Sequence, residues 1–82
     1  RYENKEREQR RKEYEADPDS LANVLALTLS MRGEGTISEA AWEKIQAPMG
    51  QIEEQWGRQE ISRQEYEKGI ISLLKSVWGT EK

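Results

Sequence analysis

The chain has 82 residues, 34% of them apolar and 35% charged, with a net charge of −3 and neither Cys nor His. That length holds one domain with a small core, and the lack of Cys and His removes disulfide frameworks, the common zinc sites and nucleophile–base pairs built on those residues. The acidic balance argues against general nucleic-acid binding, which rests on Lys and Arg neutralising phosphates, and no apolar run approaches the roughly 20 residues that span a bilayer.

Residues 1–16 carry six basic and five acidic groups and almost no apolar ones. Glu3 with Arg7, Glu6 with Arg10 and Glu8 with Lys12 are acid-before-base pairs four apart, which support a helix. No apolar stripe accompanies them, so an exposed charged helix, or a linker, is expected. Arg7, Arg10, Arg11 and Lys12 are candidate contacts to nucleic acid or an anionic membrane surface. Glu6, Glu8 and Glu13 dilute that cluster, and a solvated helix face is the preferred reading.

Asp17-Pro18-Asp19-Ser20 begins the next element, with Asp17 expected as N-cap and Pro18 at the first helical position. Leu21, Val24, Leu25, Leu27, Leu29 and Met31 make the following helix apolar around much of its circumference, so it calls for burial on more than one side. Gly33 is the expected stop. From Ser38, Trp42, Ile45, Met49, Ile52 and Trp56 recur at spacings of three and four, which predicts one helical stripe. Pro48 lies inside it and predicts a kink or two short helices. Gly57 closes this part. The last helix is expected from 62 to about 78, with Tyr66, Ile70, Leu73 and Val77 as its stripe and Ile71, Leu74 and Trp78 widening it. Gly69 lowers helix propensity there and admits a neighbouring helix. Gly79 is the stop, and 80–82 is read as a tail. No segment alternates over strand length.

Two phrases repeat 24 residues apart: Ile37-Ser38-Glu39-Ala40-Ala41-Trp42 and Ile61-Ser62-Arg63-Gln64-Glu65-Tyr66. In each, Ser is the N-cap, and the Ile before it and the aromatic four positions after it form a hydrophobic staple. Glu65 completes a capping box in the second copy, while Ala41 holds that position in the first. The expectation is an all-α bundle of three to five helices built from two helical hairpins, about 17–48 and 49–79, with the charged helix outside them.

The second phrase, followed by Ile70, Leu73 and Leu74, resembles the bacterial SHOCT (short C-terminal) domain, and 21–50 repeat the layout more loosely. Together the two copies cover residues 17–78. The chain departs from the pattern at Ala41, at Pro48, and at Gly57, which lies four residues before Ile61 rather than two. The resemblance implies a helical hairpin appended to membrane-associated, regulatory or phage proteins, with an oligomerisation or interaction role and no catalytic residue.

Gly33-Glu34-Gly35-Thr36-Ile37-Ser38 also resembles the middle of a calcium loop. Three of its four side-chain ligand positions hold Ser30, Arg32 and Ala41, so a plain turn is preferred. Glu53 beside Glu54, and Glu65 near Glu67, read as solvated helix surface, because adjacent helical residues do not face each other. Trp42, Trp56 and Trp78 lie on apolar stripes and read first as packing. As candidate partner-binding anchors they join Tyr66 and Leu74, with Trp78 foremost because it stands where the small core runs out.

The function expected is therefore a non-catalytic protein-interaction or oligomerisation module of a bacterial or phage protein, with no cofactor and no metal. The alternative is a small regulatory accessory protein acting on a nucleic-acid machine or on nucleic acid, through a basic face of Arg58, Arg63, Lys68 and Lys75. The absence of Cys fits a reducing compartment, so a cytoplasmic location is expected. Because the first residue is Arg, a processed or excised fragment is also expected, on the cytoplasmic side of a membrane where an upstream anchor precedes it.

Overall fold

Caps and stripes fold the chain into α1 (Tyr2–Ala16), α2 (Leu21–Gly33), α3 (Glu39–Gly57) and α4 (Arg63–Ser76) in a computed structural model. It describes residues 2–80, with side chains from residue 8 onward. No strand occurs among the described residues. The fold is the small all-α bundle that the helical periodicity calls for.

The cap of α2 differs from the expected one. Asp17 does not cap it. The Asp17 N–H instead closes the end of α1 on the carbonyls of Glu13 and Tyr14, and 17–20 form a turn. Ser20 is the N-cap, its hydroxyl accepting from Asn23 N–H at 3.4 Å. Gly33 is still helical. The left-handed residue is Gly35, at φ +81°, two positions later. Around it the Thr36 N–H reaches the Met31 carbonyl and the Gly35 N–H reaches the Arg32 carbonyl, the paired bonds of a Schellman ending.

The end of α3 repeats this geometry 24 residues on. The Glu60 N–H reaches the Gln55 carbonyl, the Gln59 N–H reaches the Trp56 carbonyl, and Gln59 takes the left-handed role at φ 62°. Gly57 lies within the helix and is not the stop. Then Ser62 caps α4 with the full box: its hydroxyl accepts from Glu65 N–H at 3.1 Å, and its own N–H donates to Glu65 Oε1 at 2.9 Å. The repeated phrase is thus longer than its residues show. It comprises a Schellman turn and a Ser cap, twice.

Pro48 neither ends α3 nor divides it: the helix is continuous from Glu39 to Gly57. A proline removes one backbone donor from the helix. The stripe of Trp42, Ile45, Met49 and Ile52, all packed into or against the core, holds the segment helical across it.

The core runs along α4. Ile70, Leu74 and Val77 are buried with Val24 and Leu27 of α2, Ile45 of α3 and Ile37 of the connecting turn. Gly69 lets α3 approach closely, since a Cβ there would stand 2.9 Å from Ile52 Cδ1. α4 packs against both α2 and α3, and α1 packs against α2. Among the described residues α2 and α3 have no backbone-level packing on each other. They diverge from the turn that joins them, so the first predicted hairpin is an open one. The body is correspondingly flat, with extents of 44 × 29 × 15 Å. Its radius of gyration of 13.5 Å exceeds the ~12 Å of a compact domain this long.

The charged helix α1 is anchored near its end. Tyr14 meets the Trp78 ring edge-on at 5.3 Å, and Lys75 Nζ lies 5.3 Å from the Tyr14 ring centre. Residue 80 is not a free tail: its hydroxyl accepts from the backbone N–H of Ser38 at 2.9 Å and donates to the Val77 carbonyl at 2.7 Å.

Candidate interaction surface

The divergence of α2 from α3 leaves a cleft of about 340 Å³ floored by α4. Leu21, Leu25 and Leu29 form its α2 wall. Trp42, Gln46, Met49 and Glu53 form its α3 wall, and Tyr66, Ile70 and Leu74 lie at its base. The walls follow from spacing. Residues 21, 25 and 29 recur every four along one side of α2, and 42, 46, 49 and 53 recur at four, three and four along α3. Leu25 and Leu29 remain 41% and 50% exposed.

At the closed end of the cleft Arg32 joins the two walls. Its Nη2 donates to Glu39 Oε1 at 3.2 Å, and its guanidinium carbon lies 4.8 Å from the Trp42 ring centre. Beside the base, Trp56 stacks on Tyr66 at 4.5 Å with an interplanar angle of 19°, and Trp56 is 42% exposed.

The five partner-binding candidates separate into three groups. Trp42 and Tyr66 line the cleft, and Trp56 extends it through Tyr66. Leu74 is 1% exposed and belongs to the core, at the base of the cleft. Trp78 is half-buried and committed inside the fold: its Nε1–H donates to the hydroxyl of fully buried Thr28 at 2.9 Å, and that hydroxyl donates to the Val24 carbonyl at 2.7 Å. Leu25, Leu29 and Met49 also line the cleft, although sequence spacing does not single them out as anchors. For Leu25 and Leu29 the signal lies in α2, which is apolar all round, while among the described residues its backbone packs on α1 and α4 alone.

The basic candidates lie on α1, on α4 and in the turn between α3 and α4. Arg10 is half-buried, Arg11 and Lys12 are exposed, and the side chain of Arg7 lies outside the described residues. Arg58, Arg63 and Lys68 are exposed and Lys75 is half-buried. Arg63 is paired with Glu67 at 3.3 Å, and Asp19 and Glu67 stand in the same surface depression as Lys68 and Lys75. That face is mixed in charge.

Among the described residues no three carboxylates converge on a point that would hold a metal ion, and no helix is long and apolar enough to cross a membrane. The backbone N–H of Ser62, and then its hydroxyl, hold the Glu65 carboxyl below the usual glutamate range. That is the electrostatics of a helix cap.

Comparisons with protein-family models, with curated proteins and with solved structures gave no match.

Proposed function

We propose that this chain is a non-catalytic protein-docking module whose contact surface is the cleft between α2 and α3. One observation carries the reading. Leu25 and Leu29 are largely exposed on a helix with no charged side chain from residue 20 to 31, beside the half-buried Trp42 and Met49. Exposed apolar surface of this kind, rimmed by polar residues such as Gln46 and Glu53, marks an interaction site. Its shape suits an amphipathic helix laid in a groove. The SHOCT-like phrasing supports the same reading, as a helical module of a bacterial or phage protein.

The test is capture from a lysate of the native source on wild type, Leu25→Lys, Met49→Lys and Arg11→Ala, followed by affinity measurement with each purified partner. Loss of about tenfold or more in the two cleft variants, with Arg11→Ala unchanged, is the expected result. Equal affinity in all four overturns it.

A further inference from the structure

We propose that the cleft takes a basic amphipathic helix of a partner protein, its apolar face seated among Leu25, Leu29 and Trp42 and two Lys or Arg side chains on one edge meeting Glu43 and Glu53. The inference rests on the reading of the cleft as a docking surface, and names its occupant.

The two lips of the cleft differ. On α2 no charged side chain occurs from residue 20 to 31, and Leu25 and Leu29 stand exposed. On α3, Glu53 lines the cleft together with Gln46, two turns before it. Glu43 lies one turn before Gln46, so it stands on the same edge. All three are exposed, and among the described residues neither Glu43 nor Glu53 has an ion-pair partner. Lys44, the one basic residue of α3, is two positions from both Trp42 and Gln46, which turns it about 200° away from the cleft wall. At the closed end Arg32 is already bound to Glu39 and lies over Trp42. An apolar lip therefore faces a lip with two unmatched carboxylates.

The complement of that pair of lips is a helix with one apolar face and bases along one flank. The carboxylates are ten residues apart on α3, or ~15 Å. Side chains about eleven positions apart share one edge of a helix and stand ~16 Å apart, so the two bases are expected at that spacing. Opposite charge along the edge orients the helix and speeds encounter. The same carboxylates repel the phosphates of nucleic acid and of anionic lipid. A second copy of this chain has no helix of this kind to offer, since α1 lacks an apolar stripe and the stripe of α4 is buried in the core.

The probes are three helical peptides of about 18 residues that share one Leu stripe and carry Lys, Gln or Glu at two flank positions about eleven apart. Fluorescence anisotropy of the labelled peptides titrated with the whole chain, at low and at moderate salt, gives their affinities. The Lys peptide is expected to bind about fivefold more tightly than the Gln peptide, and the Glu peptide about fivefold more weakly, with the gaps closing as salt is raised. Glu43→Gln with Glu53→Gln removes the ranking, and Glu43→Lys with Glu53→Lys reverses it. Glu8→Gln with Glu15→Gln, exposed on α1, makes the same change in net charge as the first pair and leaves the ranking alone. Leu25→Ser weakens all three peptides about tenfold at unchanged helix content. Equal affinities for the three peptides, still weakened by Leu25→Ser, overturn the basic occupant and leave the docking cleft standing. A ranking that survives Glu43→Gln with Glu53→Gln, or that moves as much with the α1 pair, also overturns it, as does no binding of the Lys peptide up to about 1 mM. Affinities that ignore Leu25→Ser overturn the cleft reading as well.

Discussion

The backbone N–H of Ser38 donates to the hydroxyl of Thr80, 42 residues away, at 2.9 Å. In the second repeat the equivalent N–H, of Ser62, is satisfied locally by Glu65. The first repeat has Ala41 at that position, and Ala41 is half-buried against the core. A carboxylate there would be partly desolvated. The donor is handed instead to the end of the chain, which closes α4 onto the start of α3.

Thr80→Val is therefore expected to destabilise by about 0.5–1.5 kcal/mol, the net worth of a hydrogen bond. Urea unfolding measures this, and faster amide exchange at Ser38 localises it. Ala41→Glu supplies the missing acceptor, so Thr80→Val should cost less than half as much in that background. Equal costs in both backgrounds would show that the two acceptors do not serve one donor.

Thr28 and Trp78 form the other long-range link. Thr28→Val keeps the shape but leaves the indole N–H of Trp78 without its acceptor, at a cost of about 1–3 kcal/mol. Trp78→Phe removes the donor and part of the ring that Tyr14 meets. In the double variant the unsatisfied N–H is gone, so the two losses should sum to more than the double variant's loss. Strict additivity would mean the bond contributes nothing.

The sequence made the helices legible because each carries its own start. Ser38 and Ser62 cap as their spacing demands, and the α3 and α4 stripes face inward as their periodicity demands. What spacing left open was how far two helices diverge. The all-round apolar pattern of α2 calls for burial on several sides, but local pattern holds no information on which sides the fold supplies. Leu25 and Leu29 look like Val24 and Leu27 in a sequence, and only packing separates the exposed pair from the buried one. The bond from Trp78 to Thr28 is illegible for the same reason: the two residues are 50 positions apart. The stops were displaced because a Schellman ending needs a left-handed residue two places past the last helical one. Gly33 and Gly57 are the last helical residues, while Gly35 and Gln59 fill the role.

Glu65 predicts a pH dependence. Its hydrogen bonds to Ser62 lower its value in the folded chain, so the unfolded chain binds the proton more readily. The stabilisation is fully present above the ordinary glutamate value of about 4.3 and is lost as pH falls through the lowered folded value. Amides in the first turn of α4 should exchange faster, relative to the rest of the helix, as the solution is acidified through that range. Glu65→Gln retains an acceptor without the charge, and should remove this local pH dependence. If Glu65→Gln tracks wild type at every pH, the capping carboxylate is not its source.

Gln59 gives a prediction of the opposite sign from most substitutions. At φ 62° it occupies a region that costs a residue with a Cβ roughly 1–2 kcal/mol, and its counterpart in the first repeat is Gly35. Glycine returns part of that gain through its larger unfolded entropy. Gln59→Gly should therefore stabilise by about 0.5–1 kcal/mol, while Gly35→Ala, at φ +81°, should destabilise by a similar amount. Gly50 separates backbone strain from propensity. It is helical, and a Cβ there meets nothing within 4 Å, so Gly50→Ala should gain about 1 kcal/mol through propensity alone. Gly69→Ala should gain less, because its Cβ must displace the end of Ile52. Thermal unfolding of the four variants orders them as Gly50→Ala, then Gln59→Gly, then Gly69→Ala, then Gly35→Ala. A Gln59→Gly variant less stable than wild type would mean that the turn after α3 does not hold the left-handed geometry that makes it the copy of the turn after α2.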